Sequence, residues 1–401
     1  MPPAPAVKES VLVVEAEGRA GAWACRSLAR AGFRVVGTAG SASAARAVRG
    51  LCDGVRRMPS PQADDRGFLD ALAEAIELEG AAAVMQTDNE AAVQLLSTLV
   101  GRTPAVVVGP DAAQFSALCD KSLLPETLLA AGLEAPLTVV VGAASAYDLP
   151  PAPCIVKPVA GGTGSGASHV RQAVAVAYDE RERDRLVEEL VARTGSAIVQ
   201  ERIVGRAWRI HFVAGGSAFA ALPVQTTLSY PRDAGMSTVQ HVPAVAPPQI
   251  FDHAERLIRH VGYVGPGSVQ FIERAGRFYV HDVNLRLPAS VALSIKAELD
   301  MPALAVDCAL GRGDVLRRVS LAHGLTYVWL EGELRALGAA LRRPRLAPQA
   351  FGVFASVVGR AAFSPAQVID QPTVRSRVAS LVGPARVWRW RGAQRRSPAV
   401  G

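Results

Sequence analysis

The strongest constraint on the fold lies in the first forty residues, where an apolar run, a helical stretch and a second apolar run follow in quick succession. Val11 to Val14 forms the first run, a Gly-bearing turn follows, Arg19 to Arg30 repeats its apolar positions at helical spacing, and Phe33 to Val36 is the second run. Strand, helix, strand in that order is a βαβ unit, and it commits the chain to parallel strands. Runs at Ala82 to Met85 and Ala105 to Val108, with a helical stretch from Phe68 to Leu78 after Ser60-Pro61, extend the same sheet. An α/β domain over residues 1–110 is expected.

Beyond it the pattern mixes short strands and helices, as an α+β arrangement does. A helix from Asp120 through Leu129 and a strand at Leu137 to Val141 precede a strand at Cys154 to Val156 that ends in Lys157-Pro158. A charged helix (Ala177 to Arg193) and strands at Ala197 to Gln200 and Arg209 to Val213 follow, then an unassigned stretch to Pro248 and a helix at Phe251 to Val261. Ser268 to Glu273 and Arg277 to Val283 read as a hairpin around Ala275-Gly276. From Pro302 onward helices are expected, broken by Pro344, Pro348, Pro365, Pro372 and Pro384. At 401 residues the chain exceeds one domain of about 150. The expected division is 1–110, 111–200, 201–330 and a helical extension, 331–401.

Composition narrows the function classes. The charged share is 20% and the hydrophobic share 50%, so a core can form and wholesale disorder is excluded. A net charge of +7 raises the question of nucleic acid, but arginines are scattered and aromatics make up only 5%, so no nucleic-acid role is expected. The densest basic stretches, Arg342, Arg343 and Arg345, then Arg389, Arg391, Arg395 and Arg396, read as solvated helix faces and a frayed tail. Trp388 and Trp390 fit a helix covering a core edge better than a membrane contact. Cys25, Cys52, Cys119, Cys154 and Cys308 are widely spaced with no CxxC pair, against both a disulfide framework and a zinc site. The segment MPPAPAVKES lacks a signal pattern and no apolar run reaches the ~18 residues of a membrane span, so a cytoplasmic location is expected.

Three stretches bear residues suited to chemistry. In the first βα turn, Glu15 to Gly21, only Gly18 and Gly21 match dinucleotide spacing and two acids stand where phosphate would lie, so a structural turn is expected. Lys157 ends a strand and is followed by Gly161, Gly162, Gly164 and Gly166. Glycines let backbone N–H groups approach phosphate oxygens while an ammonium offsets their charge, although a surface turn has the same composition. In the hairpin, Asp282 and Asn284 are two apart and share a face; pairing Gln270 opposite Asp282 would converge three oxygen donors suited to a hard cation such as Mg²⁺. Arg286 is two further on and could hold a phosphoryl group. An outward polar face would read the same way. His241 is a candidate base or substrate contact, though a lone histidine is more often structural.

Read in order, Asp120-Lys121, Lys157-Pro158 with its glycine loop, Gln200-Glu201-Arg202-Ile203 before Gly205, and Gln270 through Asp282-x-Asn284-x-Arg286 resemble the ATP-grasp superfamily. The likeness is to its carbamoyl-phosphate-synthase-like branch, which includes predicted ATP-dependent carboligases, and spans roughly residues 8–370. It implies a Rossmann-like N-terminal domain, a central lid with the glycine loop and a C-terminal lobe with the metal hairpin. It further implies that Lys121 and Lys157 contact ATP phosphates, that Gly161, Gly162 and Gly164 cover them, and that Gln200, Glu201, Arg202 and Ile203 form the adenine hinge. Gln270, Asp282 and Asn284 would hold Mg²⁺, or Mn²⁺ in its place, and Arg286 the transferred phosphoryl. This chain has Gln270, as the carbamoyl-phosphate synthase branch does, where many members carry a second metal-binding Glu, Asp282 in place of the usual longer Glu, Arg206-Ala207-Trp208 where a ribose-binding acid is expected, and Leu285 and Leu287-Pro288 around Arg286. Trp208 is thereby a candidate nucleotide contact.

The activity implied is an ADP-forming carboxylate-amine ligase that activates a small carboxylate as an acyl phosphate and joins it to an amine. The alternatives are a carboxylase using bicarbonate and a non-catalytic ATP-binding protein. Oligomeric state is open, with a homodimer as one option.

Overall fold

The structure, a computed structural model, describes residues 8–142, 148–159, 174–231, 235–342, 348, 351–357 and 366–370. Gly161, Gly162 and Gly164, together with Trp388 and Trp390, lie outside the described residues.

Strands β1 (Ser10–Val13), β2 (Arg34–Ala39), β3 (Gly54–Arg57), β4 (Ala81–Met85) and β5 (Val106–Val108) form a parallel sheet in the order β3-β2-β1-β4-β5. The central strand β1 is buried on both faces, which explains why it reads as an unbroken apolar run rather than an alternating one. One face packs on α3 (Asp65–Glu79) and α4 (Glu90–Ser97) through Leu12, Val14, Val36, Phe68 and Leu72. The opposite face takes α1 (Arg19–Arg30) through Val11, Val13, Trp23 and Leu28. The turn before α1 is structural: a Cβ on Gly21 would stand 2.5 Å from the Glu15 carbonyl oxygen, so the helix start is packed onto its own turn. Short α2 (Ala42–Val48) completes the layer.

A second sheet, among the described residues, has the order β14-β13-β10-β11-β12-β15-β16. Its members are β10 (Arg206–Gly215), β11 (Ala218–Tyr230), β12 (Met236–His241), β13 (Gly265–Arg274), β14 (Arg277–Asn284), β15 (Thr326–Val328) and β16 (Gln367–Ile369). All pair antiparallel except β15 with β16. One face is covered by α5 (Ala112–Cys119), α6 (Leu124–Ala130) and α8 (Pro248–His260), with Trp208, Ile210, Phe212 and Phe271 in the core. The other face meets α9 (Val291–Lys296) and α10 (Met301–Ala309). Because α10 also packs on α1 and β5, the apolar cluster of Val11, Trp23 and Leu28 continues without a break into Val213, Leu222, Tyr327, Trp329 and Val368. A 3₁₀ turn (Gly313–Arg318) and α11 (Leu330–Ala340) follow.

The third sheet, β6 (Thr138–Gly142), β9 (Ser196–Glu201), β7 (Cys154–Lys157) and β8 (Ala175–Ala177) in that order, is small and keeps its own core with α7 (Glu180–Thr194). Asp179 caps α7 by accepting from the Glu182 N–H at 2.8 Å.

Several expectations from sequence need correction. The helix expected from Asp120 starts only at Leu124, as α6: a separate helix, α5, ends at Cys119, and Asp120 forms a turn between the two in which its carboxylate accepts from the Ser122 N–H at 2.8 Å. The unassigned stretch before Pro248 contains β11 and β12, and the region read as wholly helical after Pro302 contains β15 and β16. Ala177 closes β8 rather than opening α7. The expected hairpin is present, and its turn residues Ala275 and Gly276 both have positive φ (50° and 78°), as a two-residue turn matched to strand twist requires. No helix among the described residues is long and apolar enough to cross a membrane.

Candidate active site

The site forms where the hairpin β13–β14, the ends of β7 and β9, and the turn after α5 converge. Along β13 and β14 the register pairs Val269 with Val283 and Gln270 with Asp282, then slips so that Phe271 faces Val280. His281 is the extra residue of this bulge. A bulge re-aims the side chains beside it. Here it keeps Val280 and Val283 in the apolar core while Gln270, Asp282 and Asn284 share the opposite face.

These three side chains are joined. Gln270 Nε2 donates to Asp282 Oδ2, and Asn284 Nδ2 donates to the same oxygen at 2.6 Å. On the neighbouring strand Arg209 stands opposite Gln270, and its Nη2 donates to Gln270 Oε1 at 2.7 Å. Since a guanidinium only donates and a carboxylate only accepts, the orientation of the Gln270 amide is fixed from both ends.

Lys157, at the end of β7, is 6% exposed and donates from Nζ to Gln200 Oε1 at 3.0 Å. Gln200 is in turn held by Thr138, whose Oγ1 accepts from Nε2 at 2.8 Å. Burial, opposed by Asp282 and reinforced by Lys121, lowers the Lys157 ammonium to about 8, so it stays charged at neutral pH. Burial lifts the Asp282 carboxyl, but Lys121, His281, Lys157 and the Asn284 amide outweigh it, and the net shift is below the ordinary value. Arg209 is brought down to about 10 by burial, with Asp282 opposing and Arg286 adding to the fall. His281 falls to about 4, chiefly by burial, and is neutral at physiological pH. Lys121 Nζ lies 3.9 Å from Glu90 Oε1. Three cations thus gather round Asp282, namely Lys121, Lys157 and Arg209, and Arg286 stands beside Arg209.

The sheet of β1 to β5 reaches the same place through Gln86, fully buried at the end of β4. Its Nε2 donates to the Leu285 carbonyl at 3.2 Å and its Oε1 accepts from the Leu287 N–H at 3.3 Å, so the segment on either side of Arg286 is clamped.

Of the expected site residues, Lys121, Lys157, Gln200, Gln270, Asp282, Asn284 and Arg286 come together here; Trp208 does not. Being one residue from Arg209 on a strand, it points through the sheet into the core with Phe271, and its Nε1 donates to Glu273 Oε2 at 2.7 Å. Alternation of faces removes it from the side that bears Gln270, Asp282 and Asn284. At the hinge, the Glu201 N–H is taken by the Leu137 carbonyl at 2.8 Å, Ile203 is buried, and the Arg202 guanidinium lies 5.7 Å from the Tyr178 ring centre. His241 sits on β12 with Nδ1 3.3 Å from Thr326 Oγ1, a cross-strand contact rather than part of this cluster.

Arg209, His281 and Gln86 were not foreseen. Arg209 becomes visible only once β10 is laid beside β13, some sixty residues away; His281 owes its position to the bulge.

As to metal, no group of three or more His, Cys, Asp and Glu side chains gathers among the described residues. Asp282 with the Asn284 amide does suit one hard cation held mainly by a ligand's phosphates, the usual way Mg²⁺ is bound.

Comparison with known proteins agrees with this geometry. Residues 118–290 match the sequence family described as ATP-grasp domain. Over 79 residues the chain is 32% identical to acetyl-CoA carboxylase of Dictyostelium discoideum, a stretch that is 18% of this chain and 4% of that protein. Among solved structures, the biotin carboxylase domain of Hydrogenobacter thermophilus 2-oxoglutarate carboxylase, in complex with MgADP and bicarbonate, superposes with a TM-score of 0.63 at 15% identity, covering 79% of this chain and 73% of that one. The L-amino acid ligase of Bacillus licheniformis gives 0.59 at 15% identity, over 75% and 74%.

Proposed function

Since the chain has the ATP-grasp fold, with the ATP-grasp domain itself at residues 118–290, we propose that it is an ADP-forming ligase that phosphorylates a small carboxylate with ATP and passes the acyl group to an amine. The observation that supports this most is the gathering of three cations round Asp282, with Arg286 beside one of them and two amides holding that carboxylate in place.

In this reading the terminal phosphates of ATP lie among Lys121, Lys157 and Arg286, and the adenine edge meets the backbone of Glu201 and Ile203. Asp282 and Asn284 would hold Mg²⁺, which would offset the charge of the phosphates. Phosphoryl transfer asks little covalent chemistry of a protein; it asks for positioning and charge neutralisation. Lys157 is suited to it because Gln200 fixes its ammonium at the end of a strand. Arg286 is suited to hold the acyl phosphate, because the Gln86 clamp limits the movement of its backbone.

The test is product identity. A screen of carboxylates with ATP should release ADP in a carboxylate-dependent manner and give a hydroxamate when hydroxylamine replaces the amine. AMP and pyrophosphate as coupled products would overturn the γ-phosphoryl mechanism. Release of ADP that requires bicarbonate and no other carboxylate would assign the carboxylase reaction instead.

A further inference from the structure

Gln270 was read as a metal ligand, yet its amide oxygen is already committed to Arg209, and its nitrogen to Asp282. The amide therefore acts as a neutral spacer between a cation and an anion, with the chain Arg209, Gln270, Asp282, Asn284 running across three adjacent strands. Both amide nitrogens fall on Asp282 Oδ2, which leaves Oδ1 clear of them. A pair of divalent ions a few ångströms apart needs anionic ligands to bridge them, because their mutual repulsion is otherwise uncompensated. Among the described residues a single carboxylate, Asp282, stands on this face of the hairpin, and a fixed guanidinium occupies the flank beyond Gln270.

Arg209 is unusual among the cations of the site. Its Nε is shut off from solvent without a hydrogen-bond partner, so the group enters with donors unspent. It lies close enough to Arg286 for that guanidinium to disfavour its charge, an arrangement that an anion between them would relieve. Guanidinium is the side chain best matched to phosphate oxygens, since it offers paired donors in one plane.

We propose that Arg209 is a resident second cation of the phosphoryl-transfer site, contacting the terminal phosphate of ATP, so that the chain binds ATP with a single divalent ion. This rests on the nucleotide reading given above and specifies how that site is charged.

The experiment counts metal and compares nucleotides on the full chain. Mn²⁺ binding is measured by electron paramagnetic resonance in the presence of the β,γ-imido analogue of ATP, and dissociation constants for the analogue and for ADP are measured for wild type, Arg209→Ala and Arg209→Lys. The expected result is one Mn²⁺ per chain in the wild type. Arg209→Ala should weaken the analogue by about tenfold or more, the usual loss for one charge-assisted hydrogen bond, and ADP by much less. Arg209→Lys, which keeps the charge, should recover part of the loss. Two Mn²⁺ per wild-type chain would overturn the proposal, as would equal losses for ADP and the analogue in Arg209→Ala. Absence of nucleotide binding by the wild type would overturn the ATP-grasp reading of the site as well, and so is told apart from failure of the Arg209 assignment alone.

Discussion

Lys157 carries opposed demands on one side chain. Burial penalises its charge, while its place beside Gln200 and near Asp282 keeps it protonated at neutral pH. A buried cation of this kind is held for what it meets rather than for stability. Lys157→Met should therefore leave the melting temperature unchanged or raise it. It should also lower kcat/KM for ATP by about 30- to 1000-fold, the range for removing one preorganised charge-stabilising contact. Calorimetry and steady-state kinetics on the same preparation decide the matter. A falling melting temperature with unchanged kcat/KM would make Lys157 structural.

Among the elements, the hairpin was legible because its turn and its polar i, i+2 pairs are local, and local pattern is what a sequence displays. Arg209 was not, since its partner depends on a long-range register, and Trp208 was misassigned because a strand sends adjacent residues to opposite faces. Strand β11 escaped notice for a different reason: Pro223 interrupts it and its second half, Gln225 to Tyr230, is polar, although β10 and β12 flank it on both edges.

Two predictions belong to this scale. Gly267 lies on β13 against Phe212, and a Cβ there would stand 2.4 Å from the ring and 2.8 Å from the Asn284 carbonyl oxygen. Gly267→Ala should cost about 1–3 kcal/mol by overpacking and shift the hairpin that bears Asn284, read as a lower denaturation midpoint together with weaker ATP binding. The second concerns α3, whose Glu79 joins Arg34 of β2 (2.6 Å) and Arg56 of β3 (2.5 Å). Arg34 most of all holds the Glu79 carboxyl below its ordinary value of 4.5. A depressed folded-state value stabilises the fold above the unfolded value, and that stability is lost as pH falls through the folded one. Wild type should thus be more stable than Glu79→Gln at pH 7, with the gap closing as pH drops below about 4.5. A gap independent of pH would refute the ion pairs as its source.

At the scale of the whole molecule, the sheet of β1 to β5 and the sheet of β10 to β16 share one apolar core, into which both α1 and α10 are packed. The far end of the described chain takes part: Val368 lies in that core, and the Trp23 indole N–H donates to the Asp370 carbonyl at 2.9 Å. A chain ending at residue 365 should lose this acceptor and β16 together. An unpaired buried donor costs about 1–3 kcal/mol, so faster amide exchange is expected at Val11 to Val13 as well as in β15. Unchanged protection of β1 would show that the two sheets are energetically separate.

The contact between Trp23 and Asp370 spans 347 residues, and that separation has a consequence during synthesis. A ribosome adding 5–20 residues per second needs about 17–70 s to deliver Asp370 after Trp23 has been made. Once β1 to β5 have been made, the first helix still lacks the last part of the far wall of its core. The nascent chain would therefore carry a bare apolar surface from its first minute, a natural substrate for a chaperone waiting at the exit tunnel.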